Sequence, residues 1–185
     1  MYTWPEMALN AITRKLSVLG LCAGAFGVSL LLSGCGTTYR PYQVAGESML
    51  PLFHPGDKIF VDESDRTRSN LHDGGVVVLR RNDTIVLKRI LAMPGETIRG
   101  ENRKVFRNGS QLDEPYLAPA TDDNTPALIT FASRTVSSGE LFVMGDNRDL
   151  SLDSRVPEYG PVRISDVVGE YRWTYWHASS SAKSR

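Results

Sequence analysis

The stretch "TIVLKRILAM", Thr84 to Met93, decides the fold because two basic residues stand inside an otherwise apolar run. A run of this length, rich in Ile, Leu and Val, is typical of a buried central strand. Desolvation in such a place lowers a lysine pKa from about 10.4 by up to several units, which gives a neutral amine usable as a base. Lys88 is therefore a candidate general base. The alternative is an ordinary strand lysine facing solvent, since strand side chains alternate between the two faces.

The chain on both sides of this run has the same strand-like pattern, with short apolar runs bounded by turn residues. These runs are Lys58 to Asp62, Gly75 to Arg81, Glu140 to Gly145 and Val167 to Trp176. Asn108-Gly109 is typical of a tight hairpin turn. We expect an all-β fold over residues 39–176, a coiled, partly closed β-barrel-like domain behind a single N-terminal apolar helix.

Two other segments of the chain are predicted to lack regular structure. Ala118 to Ser138 is rich in Pro, Thr, Asp and Ser and is predicted to be a loop with one strand at Ala127 to Phe131. Residues 177–185 are polar and are predicted to form a disordered tail. The domain therefore ends close to Trp176.

The N-terminal apolar run has the length of a membrane span. Leu16 to Gly34 carries no charge, and roughly 20 such residues cross a bilayer. The basic pair Arg14-Lys15 precedes the run, which predicts that residues 1–15 are cytoplasmic and that the chain after residue 35 is exported. We expect a bacterial cytoplasmic (inner) membrane location, with the β domain on the outer, periplasmic side.

A second interpretation of the same segment remains open. Leu32-Ser33-Gly34-Cys35 resembles the lipobox of bacterial lipoproteins, in which Cys35 would be lipidated and the preceding residues removed. Residues 16–35 are then either a retained transmembrane anchor or a lipoprotein-type signal segment. Both alternatives tether the domain to a membrane.

Composition excludes several classes of function. The chain has 21 basic and 21 acidic residues, so no basic face is predicted that would bind nucleic acid. Its cysteines, Cys22 and Cys35, lie in or at the end of the apolar run, which leaves the exported part without a disulfide or a cysteine nucleophile. The histidines His54, His72 and His177 lack the spacing of a zinc site. We predict no metal and no cofactor.

The stretch "VAGESMLPLFHPGD", Val44 to Asp57, presents a candidate nucleophile. Ser48 is enclosed by Gly, Met and Pro, and a serine nucleophile needs a base within hydrogen-bond reach. His54 is the nearest candidate base, but two prolines nearby indicate an extended segment that directs it elsewhere. Lys88 is the alternative base.

Four blocks of the sequence together resemble bacterial signal peptidase I, a membrane-anchored serine protease family with a Ser-Lys dyad that removes signal peptides from exported proteins. The blocks, in the family's order, are "GESMLP" (Gly46 to Pro51), "GDKIFV" (Gly56 to Val61), "KRILAMPGE" (Lys88 to Glu96) and "GDNRDLSLDSR" (Gly145 to Arg155). The last block matches at every fixed position. Leu52 stands where the family has Thr, and Glu96 where it has Asp.

The resemblance implies a role for five residues. Ser48 is the nucleophile and Lys88 the general base. Ser151 hydrogen-bonds the lysine and orients it, while Asp153 and Arg155 hold the local structure through an ion pair.

The resemblance also implies a shallow, apolar substrate pocket that accepts the small residues before the cleaved bond. Four residues hold similar positions to the family's pocket residues, although plain core packing is the alternative for each: Val44, Met49, Val86 and Leu87. The backbone N–H of Ser48 is a candidate oxyanion donor, and Gly46 stands where some members supply a hydroxyl. The expected partners are the signal peptides of exported preproteins and membrane lipid, the latter contacted by apolar residues from Met49 to Phe53.

Three other functions compete with signal peptide cleavage. A related Ser-Lys processing peptidase, such as one that matures conjugation pilin, shares the Ser-Met-Pro block but is not expected to match "GDNRDLSLDSR" so completely. A self-cleaving SOS-response repressor is disfavoured by the predicted export. A catalytically silent membrane lipoprotein that keeps the fold for binding is disfavoured because both dyad residues are present.

Overall fold

The computed structural model describes residues 38–81, 83–118 and 130–178. The predicted apolar segment 16–35, with Cys35, lies outside these ranges, as do residues 179–185 of the predicted tail. Within the described ranges, no helix has the length and apolar character needed to cross a membrane.

The prediction of a mainly β domain is confirmed. The strands are β1 Tyr39–Gln43, β2 Lys58–Asp62, β3 Val76–Arg81, β4 Thr84–Ala92, β5 Thr97–Glu101, β6 Lys104–Arg107, β7 Ser110–Gln111, β8 Phe131–Thr135, β9 Glu140–Met144, β10 Val162–Arg163 and β11 Val167–Trp176. The helical elements of the described ranges are a short helix, α1 Asp65–Ser69, and a 3-10 turn, Ile164–Asp166.

The strands form two antiparallel sheets. The larger has the order β1-β2-β11-β3-β4-β9-β10, and the smaller has the order β7-β6-β5-β8. β4 is an inner strand of the larger sheet, as its apolar sequence predicted, because it pairs with β3 on one side and with β9 on the other. β4 also leads directly into β5 of the smaller sheet, so the two sheets are joined next to the candidate site.

Strand prediction succeeds where apolar runs are long. β2 and β11 have the predicted bounds, and β3, β4 and β9 each differ from them by one residue at one end. Of the strand predicted at Ala127 to Phe131, only Thr130 and Phe131 lie in the described ranges, and β8 begins at Phe131 and continues to Thr135, through residues that were predicted to be loop. β8 is half-exposed and rich in polar residues, so it lacks the apolar run that the prediction relied on.

Local turn chemistry explains two elements. The predicted hairpin joins β6 to β7, with Asn108 at φ 51° and Gly109 at φ 83°, the two left-handed positions of a type I′ turn. The helix α1 was not predicted, because five residues are too few to show an apolar stripe. Its start is marked by Ser64, whose side chain accepts a hydrogen bond from the Thr67 N–H.

Side-chain alternation along the inner strands divides the core into three clusters. The first cluster contains Tyr42, Val44, Met49, Phe53, Ile59, Val61, Val76, Val78 and Leu87. The second joins the two sheets and contains Leu91, Ala92, Ile98, Val105, Val136, Phe142 and Met144. The third contains Val77, Leu79, Ile90, Leu141, Val143, Val162 and Val167. Successive residues of β3 thus enter different clusters, which fixes the register of the sheet around β4.

Candidate active site

Lys88 lies in the middle of β4, directly opposite Val77 of β3. It is only 3% exposed, so the alternative of a solvent-facing strand lysine is wrong. Burial lowers the pKa of Lys88 from 10.5 to about 8, against the opposing effect of the Asp153 carboxylate. The β-sheet therefore holds an amine that is half neutral at a pH only slightly above the physiological value.

The half-buried Ser48 lies in a tight turn that is fixed from both sides. Within the turn, the N–H of Leu50 donates to the Glu47 carbonyl at 3.1 Å, and the N–H of Phe53 donates to the Met49 carbonyl at 3.1 Å. Across the fold, the N–H of Asn147 donates to the Ser48 carbonyl at 3.0 Å. The candidate nucleophile is thus bonded to the turn that follows β9.

Gly145 lies between the Ser48 turn and the Ser151 segment, at the end of the strand that pairs with β4. Arg89 of β4 pairs with Met144 of β9, and the next residues along the two strands are Lys88 and Gly145. A Cβ on Gly145 would lie closer than 3.0 Å to the Ser48 carbonyl and to the Ser151 side chain. Only a glycine allows the Ser48 turn, β9 and the Ser151 segment to approach so closely.

Ser151 is placed at the site but is not engaged there. Its hydroxyl oxygen is buried and makes no hydrogen bond with any residue of the described ranges. The hydrogen bond to Lys88 that the resemblance implies is therefore not made in this conformation. A buried hydroxyl without a partner costs free energy. The Ser151 hydroxyl beside Gly145 is therefore a polar group that can still form a hydrogen bond.

Asp153 and Arg155 form an ion pair next to Gly145 and Ser151. Asp153 is fully buried, and its carboxylate accepts from the Arg155 side chain at 2.8 and 2.9 Å and from the Gly145 N–H at 3.0 Å. The Arg155 guanidinium also donates to the Ser151 carbonyl at 3.2 Å. The pair thus fixes the backbone at both Gly145 and Ser151, with its charges compensated.

Sequence reasoning missed two further ion pairs around the same turn. Arg89 donates two hydrogen bonds to Asp146, at 2.8 and 2.6 Å, and Arg148 pairs with Glu114. The signal was present for Arg89 and Asp146, since both stand inside matched blocks. Glu114 lies outside the four blocks, and a lone acidic residue in a loop gives no sign of a buried partner.

The predicted pocket residues do not all come together. Val44, Met49 and Leu87 are at most 4% exposed and share the first core cluster, whereas Val86 is half-buried and packs against the third. Alternation along β4 separates Val86 from Leu87.

The expected lipid contact along Met49 to Phe53 is wrong for its two ends. The side chains of Met49 and Phe53 are buried, because the tight turn folds them into the first core cluster. Leu52, between them, is 37% exposed. The three histidines are exposed. His72 lies 3.1 Å from Glu170 and His177 lies 3.7 Å from Asp57, so both side chains are directed to carboxylates.

Comparison with known proteins gives the family. The family model "Signal peptidase, peptidase S26" matches residues 17–176. The chain is similar to signal peptidase I S of Bacillus subtilis (strain 168), 35% identical over 155 residues, which are 80% of this chain and 84% of that protein. It is also similar to signal peptidase I V of the same strain, 32% identical over 157 residues, or 80% and 92% of the two chains. A signal peptidase I structure from Enterococcus faecalis V583 is 32% identical and covers 55% of this chain and 96% of its own, with a TM-score of 0.46. The chain belongs to the peptidase S26 family of signal peptidases and is a serine endopeptidase.

Proposed function

We propose that this protein is a membrane-tethered endopeptidase that removes signal peptides from exported preproteins, with Ser48 as nucleophile and Lys88 as general base. The observation that carries the proposal is the burial of Lys88 on β4, next to the strand whose following turn is bonded to the Ser48 carbonyl. A histidine base is not required, because burial brings the pKa of Lys88 to about 8.

The chemistry proceeds in two steps. Neutral Lys88 takes the proton of the Ser48 hydroxyl as its oxygen attacks the scissile carbonyl, and the resulting ammonium returns a proton to the departing amine. Water, deprotonated by the same lysine, then hydrolyses the acyl-enzyme. The buried Ser151 hydroxyl has no other partner among the described residues, so it is available to orient the Lys88 amine during catalysis, and Asp153 with Arg155 holds the segment that carries Ser151.

The negative oxygen formed during attack needs a fixed donor. The N–H of Ser48 makes no backbone hydrogen bond within the described ranges, so it is available for this role. Gly46 supplies no side-chain donor. In other hydrolases the loss of one oxyanion donor costs about 3 kcal/mol of transition-state stabilisation. Because residue 46 has no hydroxyl here, the Ser48 N–H is the donor that we assign to the oxyanion.

The preprotein binds along β4 as an added strand. β9 pairs with Arg89–Ala92 only, so the half of β4 from Thr84 to Lys88 has one strand partner, β3, among the described residues. Its other edge can form main-chain hydrogen bonds with an extended peptide next to Lys88. Val44, Met49 and Leu87 form the apolar wall of the pocket, so that small residues are preferred before the cleaved bond, whereas Val86 faces the other side of β4 and does not contribute to this wall.

The pH dependence tests the choice of base. The neutral form of Lys88 is the active one, so kcat/KM for a signal peptide substrate should rise with pH and level off above the pKa of about 8. For each pH unit below that pKa, the fraction of neutral amine falls about tenfold, so activity near pH 6 should be about a hundredfold below the plateau. A rise centred near 6.5, the ordinary pKa of histidine, would contradict the lysine assignment.

The tether is the second part of the proposal. Residues 1–15 are cytoplasmic, residues 16–35 form the membrane segment, residues 39–176 form the catalytic domain on the periplasmic side, and residues 177–185 are its tail. The segment is either retained as a helix or removed with lipidation of Cys35, and both forms hold the enzyme where signal peptides emerge from the membrane.

Mass spectrometry of the chain extracted from membranes distinguishes the two tethers. A retained helix gives a mass that includes residues 1–34, whereas lipidation gives a chain that begins at an acylated Cys35. In the second case Cys35→Ala should restore the longer chain. An unmodified chain recovered from the soluble fraction would contradict both forms of the tether.

A further inference from the structure

Glu114 lies in the segment between β7 and β8 and pairs with Arg148 of the "GDNRDLSLDSR" block. Arg148 donates to Glu114 from both terminal nitrogens, once at 3.3 Å to Oε2 and once through a shorter contact to Oε1. The side chains of Arg148 and Glu114 are only 5% and 9% exposed. Loss of either partner would leave a buried charge without compensation, so the two side chains are bound to act together.

Arg148 transmits this pairing to the candidate nucleophile. Its Nε donates to the Gly145 carbonyl at 3.1 Å, and its own carbonyl accepts from Arg155 at 2.8 Å. Gly145 lies against the Ser48 carbonyl, which also accepts from the N–H of Asn147. A continuous series of contacts thus runs from Glu114 to the Ser48 turn, although Glu114 does not contact Ser48 itself.

The same segment makes a second connection through Tyr116. The Tyr116 hydroxyl donates to Glu114 at 2.7 Å, and the Arg89 guanidinium lies 3.9 Å from the centre of the Tyr116 ring. Arg89 is the neighbour of Lys88 on β4 and is bonded to Asp146, the neighbour of Gly145. Burial and the Glu114 carboxylate raise the pKa of Tyr116, so its hydroxyl stays protonated and remains a donor.

We propose that Glu114 is a positioning residue that holds, through Arg148, the turn from Gly145 to Asn147 against the Ser48 carbonyl. The inference rests on the proposed function for its kinetic consequence but not for its structural one. The segment that follows the smaller sheet then contributes to catalysis without supplying a catalytic group.

Kinetics of the full-length enzyme provide the first test. Glu114→Ala should lower kcat about tenfold and leave KM within about twofold, because the turn is misplaced while the peptide-binding edge of β4 is intact. Glu114→Gln, which keeps an acceptor oxygen for Arg148, should recover part of that loss. The double variant Glu114→Ala with Arg148→Met should have the kcat of Arg148→Met alone, since both residues act through one series of contacts. If the loss of kcat in the double variant equalled the product of the losses in the two single variants, the proposal would be overturned.

A matched control separates positioning from simple loss of stability. Leu112 belongs to the same segment and packs on the second core cluster, whereas Glu114 forms the ion pair with Arg148. Leu112→Ala should therefore lower the thermal stability while kcat stays close to that of the wild type. An equal loss of kcat in Leu112→Ala and Glu114→Ala would overturn the proposal.

Amide hydrogen exchange gives a readout that does not need turnover. The Asn147 N–H is bonded to the Ser48 carbonyl, so its exchange in the full chain reports whether the turn is held. Glu114→Ala should accelerate this exchange about tenfold and Leu112→Ala should not, relative to other amides of β9. If the wild type failed to cleave a signal peptide, the proposed function would fall, and the exchange result would still decide the role of Glu114. Unchanged exchange in Glu114→Ala would overturn it.

Discussion

Ser48→Ala is expected to lower kcat/KM for a signal peptide substrate by about a thousandfold or more, and Lys88→Met by a similar factor. Residues that act as nucleophile and base in one step lose nearly all of their common contribution when either is removed. The Ser48→Ala, Lys88→Met double variant should therefore be no slower than the slower single variant. Turnover measured with a peptide that spans a signal peptide cleavage site checks all three.

The two substitutions leave the fold intact for clear reasons. Ser48 lies in a turn that is held by backbone hydrogen bonds, and none of these bonds involves its side chain. Methionine fills the volume of Lys88 without a buried amine, so Lys88→Met should not lower the unfolding temperature.

Lys58→Met is the matched control for the lysine substitution. Lys58 is a half-buried strand lysine on β2, near the Trp176 ring and away from the Gly145 turn. The Lys58→Met variant should keep kcat/KM within about twofold of the wild type. Persistent turnover by folded Ser48→Ala would show that another residue is the nucleophile, and persistent turnover by Lys88→Met would show the same of the base.

Much of the fold could be predicted because its inner strands are apolar over their whole length. β2 and β11 were placed with the observed bounds, and β4 was recognised as central from its sequence. The prediction failed at β8, which is short and polar and is placed by pairing with β5. Such pairing is a tertiary effect that local sequence does not encode.

The candidate site shows the same division between local and tertiary information. Ser48 and Lys88 were singled out as candidates from the type of residue and its immediate neighbours, and their roles came only from the resemblance to signal peptidase I. The apolar run alone favoured a solvent-facing Lys88, since strand side chains alternate between the two faces. The four matched blocks together reversed that expectation, and the structure buries the side chain. The Arg148–Glu114 pair joins residues 34 positions apart across two segments without regular structure, so no periodic pattern could reveal it.

Gly145→Ala is expected to lower kcat about a hundredfold, since misplacing a reacting group by about 1 Å has an effect of this size. The backbone of Gly145 is not in the left-handed region, so alanine causes no conformational strain there. Its Cβ would instead come closer than 3.0 Å to the Ser48 carbonyl, which is backbone, and to the Ser151 side chain. Relief requires the Ser48 turn to move away from β9, which lengthens the hydrogen bond from Asn147 and separates Ser48 from Lys88.

Gly139→Ala is the control for Gly145→Ala, because alanine at residue 139 causes backbone strain without a steric clash, whereas alanine at residue 145 causes a clash without backbone strain. Gly139 lies in the turn before β9 with φ at 78°, and a Cβ there would meet nothing within 4 Å. Its alanine variant should lose about 1 kcal/mol of stability through backbone strain and keep the wild-type kcat. A Gly145→Ala enzyme with normal kcat would show that the contact between Ser48 and β9 is not what positions the nucleophile. A loss of kcat in Gly145→Ala alone, at comparable stability, identifies close backbone approach at Gly145 as the feature that brings Ser48 to its base.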